Sequence, residues 1–349
     1  MTGRSVALLA WLAGASSASA ATVELPEGAV MASFRVRGMG GTCAALAESS
    51  TCQLVQPATV GIRRPYDDNA WGADTTIQAP KHPVLTRLFG GQDDPAPSLR
   101  TKWQVGGNLK MNRFAAGLHL RQDGFAGPDG NYTASQWAVP GGVTGGTWAL
   151  GATPVLLTWQ TPEGAVSAGL GAGLGALWAP DTSPLRVGWA LRSPVRTQSL
   201  SGRAWDSTRL PARGTFGLGW GFGIANGSRT EWPDRIRPTP DAPYVQVFSE
   251  VEVTGRSGEA VGVFAGGEAP MTVVVRGGGE VDTLKQHLRL RAGAYNEPQR
   301  FGDDPDVLHL TTGAAVHVFT WLQGLRWRVG ASLDWAPGAP SVGFGLETW

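Results

Sequence analysis

Apolar and polar residues alternate with period two at many places along this chain. In residues 325–335, LRWRVGASLDW, one face carries Leu325, Trp327, Val329, Ala331, Leu333 and Trp335. The other carries Arg326, Arg328, Gly330, Ser332 and Asp334. Successive side chains of a strand point to opposite faces, so each such run reads as a strand with one apolar face. The same pattern sets Leu308, Leu310, Ala314, Val316 and Val318 against His309, Thr311 and His317. It sets Leu288, Leu290, Ala292 and Ala294 against His287, Arg289 and Arg291. Upstream, Val245, Val247, Val251 and Val253 oppose Gln246, Glu250 and Glu252, and Trp103, Val105, Leu109 and Met111 oppose Lys102, Gln104, Asn108 and Lys110.

Two further runs have glycine on the second face. In FGLGWGFGI, Phe216, Leu218, Trp220, Phe222 and Ile224 alternate with four glycines, and VSAGLGAGLGALW (166–178) repeats the pattern. In a water-soluble sandwich the glycine faces would be the outer surface, although glycine weakens a strand and adds no polarity. In a membrane barrel the apolar faces meet lipid, and glycine leaves room inside. The alternation predicts an all-β chain, a transmembrane antiparallel β-barrel.

Candidate strands fall near 102–111, 113–121, 147–159, 165–178, 185–193, 214–225, 244–254, 259–265, 271–277, 286–295, 308–319, 325–335 and 341–348, with another hidden near 195–201. Bacterial single-chain barrels use even numbers, so about fourteen strands are expected, with twelve as the other possibility. Short turns such as Asn112-Arg113 would be periplasmic, and the Gly/Pro-rich links 122–146 and 226–243 would lie outside. Trp103, Trp148, Trp159, Trp178, Trp327 and Trp335 sit near strand ends, where an interfacial girdle would be. The C-terminal Trp349 is aromatic, as in substrates of the barrel-assembly machinery, although it is out of phase with Val342, Phe344 and Leu346.

The ends and composition narrow this picture. Residues 1–20 have a positive Arg4, a short apolar core at 6–13 and the small-x-small Ala18-Ser19-Ala20, so a cleaved secretion signal is expected. Net charge is only +1, which gives no electrostatic case for a nucleic-acid partner. Gly 50 is roughly twice ordinary usage, and Trp 15 is high. Export favours a local disulfide between Cys43 and Cys52 over a zinc site, which wants four ligands. No metal or cofactor is expected, and no G-x-S-x-G or H-E-x-x-H pattern points to an enzyme.

Residues 36–58, VRGMGGTCAALAESSTCQLVQPA, resemble the N-terminal signature of the FadL/TodX family of outer-membrane transporters. Gly38-Met39-Gly40-Gly41 takes the place of its Gly-rich turn. Ala45-Leu46-Ala47-Glu48 supplies the small and acidic middle, and Gln56-Pro57-Ala58 stands where the family has Asn-Pro-Ala. RVGWALRSPV (186–195) and LRLRAGAYNEPQRF (288–301) resemble two later family segments, in family order. The resemblance implies a hatch or plug over 21–64 inside a barrel over 65–349. It also implies passive uptake of a hydrophobic or amphipathic, fatty-acid-like molecule, released sideways through a gap in the wall. Cys43 and Cys52 are not family hallmarks, and a bond between them would make the plug move as one rigid unit.

Two further expectations concern the wall and lumen. In TWALGATPVLLTW, Trp148, Leu150 and Ala152 share one phase, and Val155, Leu157 and Trp159 the other. A bulge at Thr153-Pro154 is expected, and with it a candidate lateral opening, because proline cannot donate to a ladder. Arg289, Arg291, His309, His317, Arg326, Arg328 and Asp334 would form a lumen charge network, pairing with one another or with Glu48. Expected partners are outer-membrane lipids, a hydrophobic small-molecule ligand and, during insertion, the barrel-assembly machinery. A scaffold barrel without transport and a non-selective porin are the alternatives.

Overall fold

The computed structural model describes residues 33–46, 52–61, 71–80, 98–111, 113–127, 130–145, 147–179, 183–200, 209–223, 244–256, 270–284, 287–298, 306–321, 325–336 and 340–348. Strands form one antiparallel sheet in which each pairs with its neighbours in sequence. The first seven wall strands are β1 (Trp71–Pro80), β2 (Ser98–Met111), β3 (Phe114–Gly127), β4 (Gly130–Ala138, resuming at Gly141–Thr144), β5 (Trp148–Gln160), β6 (Val166–Trp178) and β7 (Leu185–Arg192). The other seven are β8 (Arg213–Gly223), β9 (Tyr244–Thr254), β10 (Thr272–Thr283), β11 (Leu288–Glu297), β12 (Val307–Trp321), β13 (Leu325–Trp335) and β14 (Ser341–Thr348). β14 pairs with β1, from Asp74↔Glu347 to Pro80↔Ser341, and closes a fourteen-stranded up-and-down barrel.

The barrel is inside out relative to a soluble protein. Its outer face leaves Leu170 74%, Phe344 58% and Val329 52% exposed, whereas Arg289, Arg328 and Glu250 on the inner face are at most 2% exposed. Only a solvent of hydrocarbon makes that distribution favourable. Trp148 pairs with Trp178 across β5 and β6 near one rim, and both are exposed, as a girdle requires.

Several strand assignments differ from the sequence expectation. β1 and β4 were hidden: β1 has little apolar alternation, and β4 runs through the stretch 122–146 that reads as a Gly/Pro-rich loop. Val139-Pro140 interrupts its assignment, yet the register against β3 and β5 is the same on both sides. Residues 195–201 are no separate wall strand, because Gln198–Ser199 return to β6 as the bent end of β7. Residues 259–265, the 226–243 link, Trp349 and the secretion signal lie outside the described residues. Gly223 and Tyr244, which flank that link, stand at the barrel end where Met111 and Phe114 turn, so it joins strands at the short-turn end, opposite to expectation.

Thr153 and Pro154 hold no bulge. The β5–β6 register passes unbroken from Trp148↔Trp178 to Gln160↔Val166, and β4 keeps step on the other side. The pleat simply continues. Pro154 therefore faces outward, and Val155, Leu157 and Trp159 face the lumen, buried to 1%, 3% and 5% exposure. Trp159 is no girdle residue. The apparent phase flip is a change of residue type on one continuous face.

Candidate functional site

Residues 33–46 and 52–61 lie against the inner wall. A short helix, α1 (Phe34–Gly38), starts where Ser33 Oγ accepts the Val36 amide at 3.4 Å. It ends in Gly40 and Gly41, whose φ angles of +69° and +80° suit glycine. Residues 52–61 end in a 3₁₀ turn at Pro57–Gly61. Cys43 and Cys52 are disulfide-bonded. They sit in an apolar cluster with Val36, Met39, Ala45, Leu46, Val55 and Phe248 of β9. Ala47 and Glu48 lie outside the described residues.

Glycines on the inner wall receive this segment. A methyl group at Gly330 or Gly345 would overlap the Phe34 ring, and one at Gly278 the Met39 carbonyl. At Gly188 it would fall on the Ala44 carbonyl, at Gly175 on the Gln56 side chain and at Gly151 on Pro57. The bare faces seen in β6 and β8 thus make room for backbone.

Charged side chains grip the first part of the segment. Arg35 binds Glu280 of β10 through two nitrogens, at 2.8 and 2.5 Å. Burial pulls the Arg35 guanidinium below its ordinary value, and Glu280 opposes that pull. Glu280 also accepts from Arg291 Nε at 2.7 Å and the Tyr244 hydroxyl at 2.7 Å, and Arg291 continues to Glu347 at 3.0 Å. Arg289 is paired with Asp282 at 2.7 Å. Arg37 reaches Asp334 at 3.1 Å and also binds Ser341. Asp334 in turn accepts from the Tyr295 hydroxyl at 2.8 Å and lies 2.8 Å from His309 Nδ1. Glu250 Oε2 accepts the amides of Cys43 and Ala44, at 2.6 and 2.7 Å, while Arg276 neutralises its other oxygen at 3.1 Å.

The structure therefore brings together Arg289, Arg291 and Arg328 in one buried group and His309 with Asp334 in another. His317 stands apart, beside His287 and with Nε2 3.0 Å from Thr320 Oγ1, near the turn that follows β12. The side chain of Arg326 lies outside the described residues. Besides Asp334, acids that meet arginines in the lumen include Glu280, Asp282, Glu347 and Glu250, together with Glu252, which accepts from Arg276 at 3.2 Å. Period-two counting had already put Glu250 and Glu252 on the polar face. It could not say that the Cys43 and Ala44 amides, far off in sequence, would meet Glu250 in the lumen, or that Arg35 and Arg37 would meet Glu280 and Asp334.

The wall ladder is interrupted just past Arg192, the last residue of β7. Its pairing with β6 ends at Arg192↔Gly173. Ser193 makes the last link: its amide donates to Ala172 O at 2.8 Å, and its Oγ accepts the Ala172 amide at 2.9 Å. Pro194 has no N–H to continue, and the chain passes inward over Gly171 and Gly169 of β6. It rejoins β6 at Gln198↔Ala168, having used one residue more than β6 uses. Inside, Val195–Arg196 pairs with Arg209–Leu210, and Val195 and Leu210 pack on Leu157. The RSPV segment noted in the sequence is the detour itself.

This architecture has solved counterparts. A Pseudomonas aeruginosa FadL homologue superposes with a TM-score of 0.56 at 13% identity, covering 94% of this chain and 98% of the other. The CymD monoaromatic hydrocarbon channel gives 0.56 at 12% identity, covering 93% and 97%. The chain has the FadL/TodX fold. The Pseudomonas putida toluene transporter TodX matches with a TM-score of 0.52 at 11% identity, covering 90% and 96%. No protein-family description and no curated protein matches the chain by sequence.

Proposed function

We propose that this chain is an outer-membrane passage for passive uptake of hydrophobic or amphipathic small molecules, with the N-terminal segment as its plug and no metal or nucleotide required. The observation that carries this reading is an apolar stripe on an inner wall that elsewhere carries charged groups and glycines. Val155, Leu157 and Trp159 of β5 face inward, and Val195 and Leu210 join them beneath the detour in β7. An aqueous pore has no use for that surface, while a hydrophobic solute gains from it. The fit of the N-terminal segment to the glycine faces argues against a non-selective porin. A scaffold role would give no reason for the stripe.

The break at Ser193–Thr197, and not Pro154, supports a sideways exit. It lies beside the stripe, and it is the place where β6 and β7 part. Solutes moving along Leu157 and Val195 would leave toward lipid there without crossing the plug. The apolar lining suits solutes like those of two solved counterparts of the fold, a monoaromatic hydrocarbon channel and a toluene transporter.

The test uses cells with a lipopolysaccharide-bearing outer membrane, with or without the chain. They are given radiolabelled toluene, a medium-chain fatty acid and arabinose. The chain should speed entry of toluene, the fatty acid or both, and leave arabinose unchanged. Faster arabinose entry would mean a porin, and no change for any probe would reject transport.

A further inference from the structure

The two halves of the N-terminal segment are held very differently. Residues 34–44 are attached by charge-assisted bonds to β9, β10 and β13, from Arg35 to Glu280, Arg37 to Asp334 and the Cys43 and Ala44 amides to Glu250. Thr311 of β12 adds a reciprocal pair, accepting from the Gly40 amide at 2.9 Å and donating to Gly38 O at 3.2 Å. Such bonds are roughly twice as strong as neutral ones when an ion takes part.

Residues 53–61 lean on β3 to β7 by shape. Pro57 lies on Gly151, Val60 on Gly142, and Ala58 packs with Ala149 and Leu177. Among the described residues, their side-chain hydrogen bonds to the wall run through one neutral amide. Gln56 Nε2 lies 3.2 Å from Ala176 O and 3.0 Å from Trp189 O, which are partners across the β6–β7 ladder, and 2.9 Å from Ala44 O.

The seated position of this half also leaves polar groups unsatisfied. Gln53 is fully buried beside Gly117 of β3, and neither atom of its amide has a hydrogen-bond partner. Asn108, the cross-strand partner of Gly117, is 6% exposed with both amide atoms unpartnered. Buried donors and acceptors without partners raise the energy of the state that holds them. The wall here is short of donors too. Pro140 takes a bond from the Gly117 amide at 2.8 Å but has no N–H to return, and Pro154 stands likewise toward Val139.

We propose that residues 34–44 are a fixed anchor and that residues 52–61 are the moving gate, with Gln56 as the residue that holds the gate shut. This rests on the reading of the segment as the plug of an uptake channel. The Cys43–Cys52 bond then works as a tether: it fastens the gate to the residue whose amide Glu250 grips. The plug does not move whole, contrary to what a rigid disulfide-bonded unit would do.

Hydrogen–deuterium exchange on the full chain in lipid nanodiscs tests the assignment without any transport. Amides of 52–61 should exchange about tenfold or more faster than those of 34–44. Gln56→Ala should speed 52–61 further and leave 34–44 within about twofold, and Gln56→Asn should fall between. Equal exchange in both halves, or faster exchange in 34–44, overturns the proposal. The second test joins gate to wall with Val60→Cys and Gly142→Cys. Entry of the hydrophobic probe should fall to background in the oxidised double variant and be well above that level in the double variant purified and kept without oxidation of this pair. Uptake that survives the cross-link also overturns it. A parent chain that takes up no probe refutes the uptake reading, while the exchange pattern still decides which half moves.

Discussion

The Arg35 guanidinium lies on the Glu280 carboxylate at 2.8 and 2.5 Å, across 245 residues of sequence, with both side chains buried. The pair joins α1 to the middle of the barrel, and Arg291 shares the same carboxylate. Glu280→Gln leaves the buried Arg35 guanidinium without its anion and Arg291 with Glu347 alone. Losing one partner of a buried pair costs about 3–5 kcal/mol. The variant should therefore unfold at clearly lower temperature or urea concentration in detergent, as read by heat-modified gel mobility. Wild-type resistance would show that the pair carries no stability.

The glycine faces make a second prediction. At Gly188 a methyl group would fall on the Ala44 carbonyl, so Gly188→Val must displace the N-terminal segment or the wall. In planar bilayers the parent should show little steady conductance, and the variant should open a lasting ion path. An equally closed variant would mean that the segment does not fill the bore.

Pro154 and Leu157 give opposite expectations although they lie three residues apart. Pro154 faces outward in an unbroken register, so Pro154→Val should leave uptake of the hydrophobic probe unchanged. Leu157 packs on Val195 at the inner face of the detour, and a polar Leu157→Asn should lower uptake about tenfold. The reverse ranking would restore Pro154 as the opening.

Cysteine chemistry is the fourth. Mass analysis of the chain under non-reducing conditions should find Cys43 and Cys52 joined. Removing a short-loop disulfide costs about 2–3 kcal/mol in chain entropy, so the Cys43→Ser and Cys52→Ser pair should loosen the segment and leave the barrel folded. Two free thiols would remove the tether.

What could be read in the sequence follows from period two. Side-chain alternation fixes which face of β11 or β13 is oily, and so it foretold the barrel and its charged lumen. It failed where residue type and pleat disagree. Val155, Leu157 and Trp159 are apolar and inward, which a lipid-outside rule misreads as a shifted register. β4 was missed because Val139-Pro140 looks like a loop, although its neighbours carry the ladder past it. Glycine alternation showed that the lumen had room but not what occupied it. The pairing of Arg35 and Arg37 with acids on β10 and β13 depends on closure of the whole barrel, which no local pattern contains. The detour of β7 was visible only as a family-like RSPV run, whose Pro194 gives the physical reason for the turn inward.

The central claim is that the greasy faces of these strands rest on lipid. Nitroxide labels placed one at a time at Val329, Ala331, Ser332 and Leu333 of β13, in nanodiscs, test it through collisions with oxygen and with a water-soluble nickel complex. The account predicts high oxygen and low nickel accessibility at 329, 331 and 333, with both low at 332. Labels at 329, 331 and 333 that meet the nickel complex freely, or show no contact with lipid-dissolved oxygen, would contradict it.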